Sequence, residues 1–368
     1  MSTNLAEDEL WMQHALRLAG KGQGAVEPNP MVGAVVLAAD NRLVGEGWHQ
    51  KYGGPHAEVH ALELAGTQAQ GGTLYVTLEP CCHFGKTPPC TDAVLKSGVR
   101  RVVVAMADPF PQVAGGGLAI LREAGLEVAV GVCESDARKL NAPYLKLLRT
   151  GKPWVVAKWA MTLDGKISTH TGDSKWISSE ASRARVHELR GRVDAIIVGR
   201  GTVVADDPLL TARPSSLRAA TRVVISSTAD LPEVCQLRAT AREIPVLIFT
   251  SEANVPKLRG WADDGAEVVG LPACDNVLSV DQILKELGRR RMTNVMVEGG
   301  AGVLGAFLDA GEIDEVWAFV APKIVGGASA TSPIGGRGLA KLNEAIQFGQ
   351  VAVEAIGDDV LIRARFTS

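Results

Sequence analysis

The sequence predicts two consecutive α/β domains, each built on a largely parallel sheet. Three observations point there. Short β-branched runs alternate with helix-patterned stretches along the whole chain, a rhythm in which helices cover the faces of a sheet. The runs are too numerous for one modest sheet. The pattern also breaks once, at Thr150, Gly151, Lys152 and Pro153, where a helix-like piece gives way to a fresh apolar run. The expected domains are residues 1–147 and 152–368.

Each element follows from its residues. In "DELWMQHALRLA" (8–19), Leu10, Trp11, Ala15, Leu18 and Ala19 recur at helical spacing behind an acidic start, which predicts an amphipathic helix. "MVGAVVLA" (31–38), "TLYVTLE" (73–79) and "RRVVVAMA" (100–107) read as strands, with helices at 57–65 and 91–97 between them. In the second half "AIIVG" (195–199), "TRVVIS" (221–226), "IPVLIF" (244–249), "AEVVG" (266–270), "TNVMVEG" (293–299) and "EVWAFV" (315–320) are strands. "KWAMTLDGKIS" (158–168) reads as two strands broken at the Asp164–Gly165 turn, and "SKWISSEASRARVHELR" as a helix opening on a serine cap.

Composition narrows the function classes. At 368 residues, 46% hydrophobic and 21% charged, the chain has ample material for globular cores. A formal charge of −3 argues against binding nucleic acid through its phosphates. No apolar run approaches a membrane span, and the acidic start "MSTNLAEDEL" lacks a secretory signal's basic-then-apolar pattern, so a cytoplasmic location is expected. Six cysteines in so long a chain are not a disulfide scaffold. Cys133, Cys235 and Cys274 stand singly and are expected to be buried packing residues.

The other three cysteines fall in "EPCCHFGKTPPC" (79–90), after a strand and before a helix. Upstream, "GGPHAEVHALELAG" places His56 at the first turn of a helix and Glu58 two residues on. A thiol at a helix start feels exposed N–H groups, which favours the thiolate a metal needs. His56, Cys81 and Cys90 thus form a one-histidine, two-thiolate zinc set with a coordination position left for water. Cys82 or His83 would close that position in a purely structural site; Glu58, placed to shuttle protons, argues for a catalytic one. A zincin helix is excluded, because Ala57 stands where its glutamate belongs.

In "VEGGAGVLGAFLDAG", Gly300, Gly302 and Gly305 take GxGxxG spacing after a strand and open a helix, a natural phosphate seat. The motif comes late in its domain, which argues against a Rossmann fold and for a differently wired nucleotide-binding one. "GRGTVVADDPLLTAR" adds Thr202, Asp206 and Arg213.

"HAE" followed by "PCCHFGKTPPC" resembles the zinc nucleoside and nucleobase deaminases, whose signature joins HxE to PCxxC. The longer gap between thiols departs from that signature and is similar to the pyrimidine deaminases of riboflavin biosynthesis. "AMTLDGKI", "DAIIVGRGTV", "ADDPLLTAR" and "VEGG" resemble the reductase domain that follows the deaminase in the same enzymes. The resemblance implies a cytidine-deaminase-like three-layer domain, then a dihydrofolate-reductase-like one. It further implies one zinc per chain on His56, Cys81 and Cys90, proton transfer by Glu58, and a base contact by Asn29 in "EPNPMVGAVV". NADPH is expected on Ala160, Trp176, Thr202, Asp206, Ser227 and the turn Gly300, Ala301, Gly302, Val303, Leu304, Gly305 and Ala306, with Ser226 as the alternative to Ser227. Ser174, Arg190, Leu210, Arg213 and Glu298 would meet the substrate, the two arginines forking onto its phosphate, and Asp206 or Glu298 would relay a proton.

The function so implied is zinc-dependent hydrolytic deamination of 2,5-diamino-6-(5-phosphoribosylamino)pyrimidin-4(3H)-one, then NADPH-dependent reduction of the ribosyl chain to ribityl. The partner is a small phosphorylated pyrimidine rather than nucleic acid or membrane; assembly into a homo-oligomer stays open. The rival is a deaminase of another nucleobase or nucleoside with a noncatalytic C-terminal binding domain.

Overall fold

The structure, a computed structural model, describes residues 5–214 and 218–366. The chain divides into two compact units, Met1–Thr150 and Gly151–Ser368. No helix among the described residues is long and apolar enough to cross a membrane.

The first unit is a five-stranded sheet of β1 (Gly33–Leu37), β2 (Leu43–Trp48), β3 (Thr73–Val76), β4 (Arg101–Val104) and β5 (Glu127–Val130), in the order β2-β1-β3-β4-β5. β3, β4 and β5 run parallel, but β1 is antiparallel to both neighbours, pairing Ala34 with Gly47 and Val35 with Tyr75. The expected largely parallel sheet is therefore mixed here. The sequence reading omitted β2 and β5, which are short and carry exposed or half-buried residues in place of a continuous apolar run. Alternate residues face opposite sides, as the pleat demands. Val36, Leu74, Val76 and Val102 pack under Ala57, Ala61, Val94 and Leu121. Val35, Tyr75 and Val103 pack under Met12, Ala15 and Leu16 of the helix Leu5–Gly20.

Three layers result, and one close approach sets the first site. A Cβ on Gly47 would lie 2.7 Å from the Ala57 carbonyl oxygen. Only glycine lets the helix Ala57–Ala65 seat its first turn on β2, and that turn carries His56 as its cap residue.

The main sheet of the second unit has nine strands among the described residues: β6 (Trp154–Thr162), β7 (Ala195–Gly199), β8 (Thr221–Ile225), β9 (Val246–Ser251), β10 (Glu267–Leu271) and, past a separate small hairpin of β11 (Ala273–Cys274) and β12 (Val277–Leu278), β13 (Asn294–Val297), β14 (Glu315–Ala321), β15 (Gln350–Ile356) and β16 (Asp359–Arg365). Their order is β10-β9-β8-β7-β13-β6-β14-β16-β15, parallel as far as β14 and antiparallel beyond. The segment 158–168 is one strand rather than two. β6 ends at Thr162, whose hydroxyl donates to Asp164 (2.6 Å), and Asp164 in turn accepts from the Gly326 amide (2.7 Å), so the following residues leave the sheet.

Of the lone cysteines Cys235 is buried as expected, whereas Cys133 is half-buried and Cys274 is exposed in the hairpin.

β13 sits between β7 and β6, so the chain order reverses there. The helix Arg200–Asp206 after β7 sends Val203 into the core on one face, and the helix Ala301–Asp309 after β13 sends Leu304 and Phe307 into the core on the other. A crevice must open between helices that leave neighbouring strands on opposite faces. The helix Glu180–Arg190 borders it, held at its start by Ser179, whose side chain accepts from the Ser182 amide, and by Asp359, which accepts from the Ser182 hydroxyl at 2.6 Å.

Candidate active sites

In the first unit, His56, Cys81 and Cys90 offer donor atoms that all lie within 4.8 Å of one another. The His56 Nδ1 is 3.2 Å from the Cys90 sulfur and 3.5 Å from that of Cys81. Three local features place them. His56 caps one helix, Cys90 begins the helix Cys90–Ser97, and the Cys90 amide donates to the Cys81 sulfur at 3.3 Å. Behind Cys81, buried Glu79 accepts from the amides of Asp108, Gly115 and Leu118 (3.1–3.2 Å), anchoring the loop after β3 to the start of the helix Gly116–Glu123.

The electrostatics suit a cation. The Cys90 thiol bonded to Cys81 holds the latter's sulfur down at about 4, burial opposing and His56 helping. Cys90 is pushed up by that same contact and by burial. Two sulfurs sharing one proton, with an imidazole nitrogen on the same center, are the donor set zinc takes, so these residues fit the metal. Cys82 and His83 are not in the set; the Cys82 sulfur points to the Gln112 carbonyl (3.8 Å) and the His83 ring lies 6.2 Å from that of Phe110.

Glu58 is buried, and its Oε2 has no hydrogen-bond partner among the described residues. Burial pushes its carboxyl up to about 7 against the pull of His56. A carboxyl whose proton affinity is raised by burial, beside a metal set, is suited to take a proton from water and return it to a leaving group. Asn29 reaches this site through His49, which sequence reasoning did not single out: the Asn29 amide nitrogen is 3.3 Å from His49 Nε2, and the His49 and His56 rings meet edge to face at 5.2 Å.

The second unit opens a cavity of about 920 Å³ over the ends of β6, β7, β8 and β13, large enough for a dinucleotide's reactive end and a substrate together. Ala160, Ser174, Trp176, Thr202, Asp206, Leu210, Arg213, Glu298 and the turn Gly300–Leu304 line it. The Thr202 hydroxyl accepts from the Gly300 amide at 3.2 Å, fixing that turn where a helix start faces the cavity. Trp176 is exposed with the Arg183 guanidinium 4.7 Å from its ring, and Lys175 ties the same loop to Asp206 at 3.4 Å.

Three of the expected contacts stand apart from the rest in this geometry. Gly305 and Ala306 do not line the cavity: a Cβ on Gly305 would stand 2.3 Å from the Gly335 backbone, so this glycine serves helix packing, and Ala306 packs on the core. Neither Ser227 nor Ser226 lines it. The Ser227 carbonyl accepts from Asn254 (2.8 Å), while Ser226 is buried with a hydroxyl that has no partner among the described residues. Arg190 does line the cavity, but its fork is engaged: Nε and a terminal nitrogen each donate to Glu298 at 2.7 Å.

Lys158, also missed, stands 3.8 Å from the same carboxylate. Its signal was a lysine amid the apolar run "WVVAKWAMT" of β6. Burial alone would raise Glu298; Arg190 and Lys158 outweigh it and bring the carboxyl down to about 2. Lys158 is itself lowered, burial outweighing Glu298. Arg213 is exposed at the cavity wall, with no ion-pair partner among the described residues.

Comparison with known proteins covers both units. Residues 5–106 match the cytidine and deoxycytidylate deaminase zinc-binding region, and residues 153–362 match the RibD C-terminal domain. The riboflavin biosynthesis protein RibD of Aquifex aeolicus is 43% identical over 96% of this chain and 97% of its own length. That of Escherichia coli is 39% identical over 97% and 98%. Among solved structures, the diaminohydroxyphosphoribosylaminopyrimidine deaminase/5-amino-6-(5-phosphoribosylamino)uracil reductase of Thermotoga maritima superposes with a TM-score of 0.86 at 38% identity, covering 99% of this chain and all of that one.

Proposed function

The chain belongs to the RibD family and is a bifunctional deaminase and reductase of riboflavin biosynthesis that uses zinc and NADPH; on that premise we propose which residues perform each half. Residues 1–147 act as the deaminase and 152–368 as the reductase, on one small phosphorylated pyrimidine, in the cytoplasm.

In the deaminase, His56, Cys81 and Cys90 would hold zinc, which when bound would supply the Lewis acidity that makes water a nucleophile near neutral pH. Glu58 Oε2 would take a proton from the attacking water and deliver it to the departing nitrogen, so that water and amine become carbonyl oxygen and ammonia. Asn29 orients the pyrimidine ring. In support stand the donor set and the unpartnered, buried Glu58 oxygen beside it.

In the reductase, NADPH when bound would supply the hydride for C1′ of the ribose in its opened, imine form. Thr202 and the Gly300–Leu304 turn seat the cofactor phosphates, with Ala160, Trp176 and Asp206 along its length. Arg213 and Ser174 hold the substrate phosphate, and Leu210 packs on the chain between. Glu298, bonded to Arg190 and held as a carboxylate, does not donate the matching proton. Lys158, an ammonium made more acidic by burial, is placed to do so.

The observation carrying the reading is Glu58. Its test is an assay on the phosphorylated diaminopyrimidinone, following ammonia with and without NADPH. Ammonia should appear in both cases and NADPH should be oxidised only as deaminated product forms. Ammonia without any NADPH oxidation would instead favour a deaminase joined to a noncatalytic domain.

A further inference from the structure

His49 follows β2, and its side chain is shut in: the residue is 2% exposed and its backbone amide donates to the Val32 carbonyl at 2.9 Å. Both ring nitrogens are engaged. Nδ1 lies 3.0 Å from the Pro55 carbonyl oxygen. A carbonyl only accepts, so Nδ1 carries the proton, and the Nε2 of a neutral imidazole is left as an acceptor. That acceptor faces the Asn29 side chain at 3.3 Å and therefore calls for its NH₂ end.

The Asn29 carbonyl oxygen is then turned the other way and finds no partner among the described residues. Pro55, whose carbonyl sets the tautomer, directly precedes the zinc ligand His56. One stretch of backbone thus positions the metal set and, through His49, the amide beside it. With no free nitrogen to offer a substrate, His49 can act only through Asn29.

We propose that His49 is a positioning residue that locks the Asn29 amide with its oxygen toward the substrate, so that the deaminase site selects a pyrimidine presenting a hydrogen-bond donor there. The 2-amino-pyrimidin-4(3H)-one edge, with a ring N–H beside an exocyclic amine, presents such donors. A flipped amide would present N–H groups and favour rings with an unprotonated nitrogen at that place. The proposal rests on the reading of Asn29 as a base contact.

A double-mutant cycle on the full-length, zinc-loaded enzyme tests it, with deaminase kcat and KM measured by ammonia release for H49F, N29A and the pair. H49F keeps a ring and removes both nitrogens. It should raise the pyrimidine KM about ten- to a hundredfold, the scale of losing one well-placed hydrogen bond in a buried site. In the N29A background the same change should cost less than about twofold, because the residue it acts through is gone. H49Q, whose amide oxygen can accept from Asn29, should recover part of the loss. It also carries the cycle if H49F does not fold.

Zinc content near one per chain and undiminished NADPH oxidation on the deaminated substrate are expected throughout. Equal losses with and without Asn29, a fall in zinc content, or wild-type kinetics for both His49 variants would overturn the proposal. A wild-type kcat/KM for N29A would instead remove Asn29 from the parent reading, a failure distinct from additivity.

Discussion

The two sites are built in opposite ways. In the deaminase unit the metal-set residues stand at helix starts or take a backbone hydrogen bond, and three donor atoms lie within 4.8 Å of one another. The reductase unit offers a cavity of about 920 Å³ whose walls are largely loop and helix ends, with Trp176 66% exposed and Arg213 at the surface. Hydrolysis at a metal needs a few groups held rigidly; hydride transfer needs a container in which two large molecules meet, the cofactor bringing the chemistry. A small, dense site should fail completely when one atom changes. A large one should fail in parts.

The sharpest break in that contrast is Glu58→Gln. Removing the proton carrier should lower ammonia release by about 10²- to 10⁴-fold. Zinc content and NADPH oxidation on the deaminated substrate should stay as in wild type. Persistent ammonia release would take Glu58 out of the mechanism. Replacing Cys81 or Cys90 by Ser should bring zinc well below one per chain, measured by elemental analysis, while Cys82→Ser should keep it near one; the reverse pattern would reassign the ligand.

In the reductase the largest effect belongs to Glu298, whose side chain is 7% exposed and faces both Arg190 and Lys158. Glu298→Gln leaves two cations without their counter-charge, which should destabilise this unit by about 3–5 kcal/mol. Thermal unfolding followed by NADPH-oxidation loss should show it, with ammonia release retained. The pH dependence has a definite sign. The folded carboxyl, at about 2, lies below the ordinary glutamate value of 4.5, so its contribution is complete above about 4.5 and fades as pH falls through 2. Between pH 5 and 8 the Glu298 carboxyl, ionised in the folded and the unfolded chain alike, should itself add no slope to the unfolding curve; the absence of any loss of stability below about pH 4.5 that is specific to the wild type over Glu298→Gln would contradict the pairing.

The same contrast explains what was legible in the sequence. His56, Glu58, Cys81 and Cys90 could be read because scarce, reactive residue types cluster within a short span, and the helices holding them have clear apolar spacing. His49 could not, since its role lies in the tautomer set by a carbonyl six residues away, and a lone histidine carries no pattern. In the second unit, "AIIVG" coincides with β7 residue for residue, because a strand covered on both faces is one apolar run bounded by turns. The cavity was harder. Its walls come from residues spread between 158 and 304, and glycine spacing alone does not separate Gly300, at the cavity, from Gly305, which touches Gly335. The Arg190–Glu298 pair could not be read either, because a sequence shows an arginine's charge but not which carboxylate answers it.

That last point carries the mildest prediction. With Arg190 bonded to Glu298, Arg213 is a cavity-wall guanidinium with no carboxylate partner among the described residues, and it would meet a phosphate monoester from an exposed position where solvent screens the charge. Arg213→Ala should therefore raise the KM of the reductase substrate about tenfold at low salt, less at high salt, with the NADPH KM and kcat moving less than about twofold. Arg213→Lys keeps the charge without the fork and should fall between. An equal rise in both Michaelis constants would mean that Arg213 shapes the cavity instead of holding one ligand, and the container would then respond as one piece, like the deaminase site.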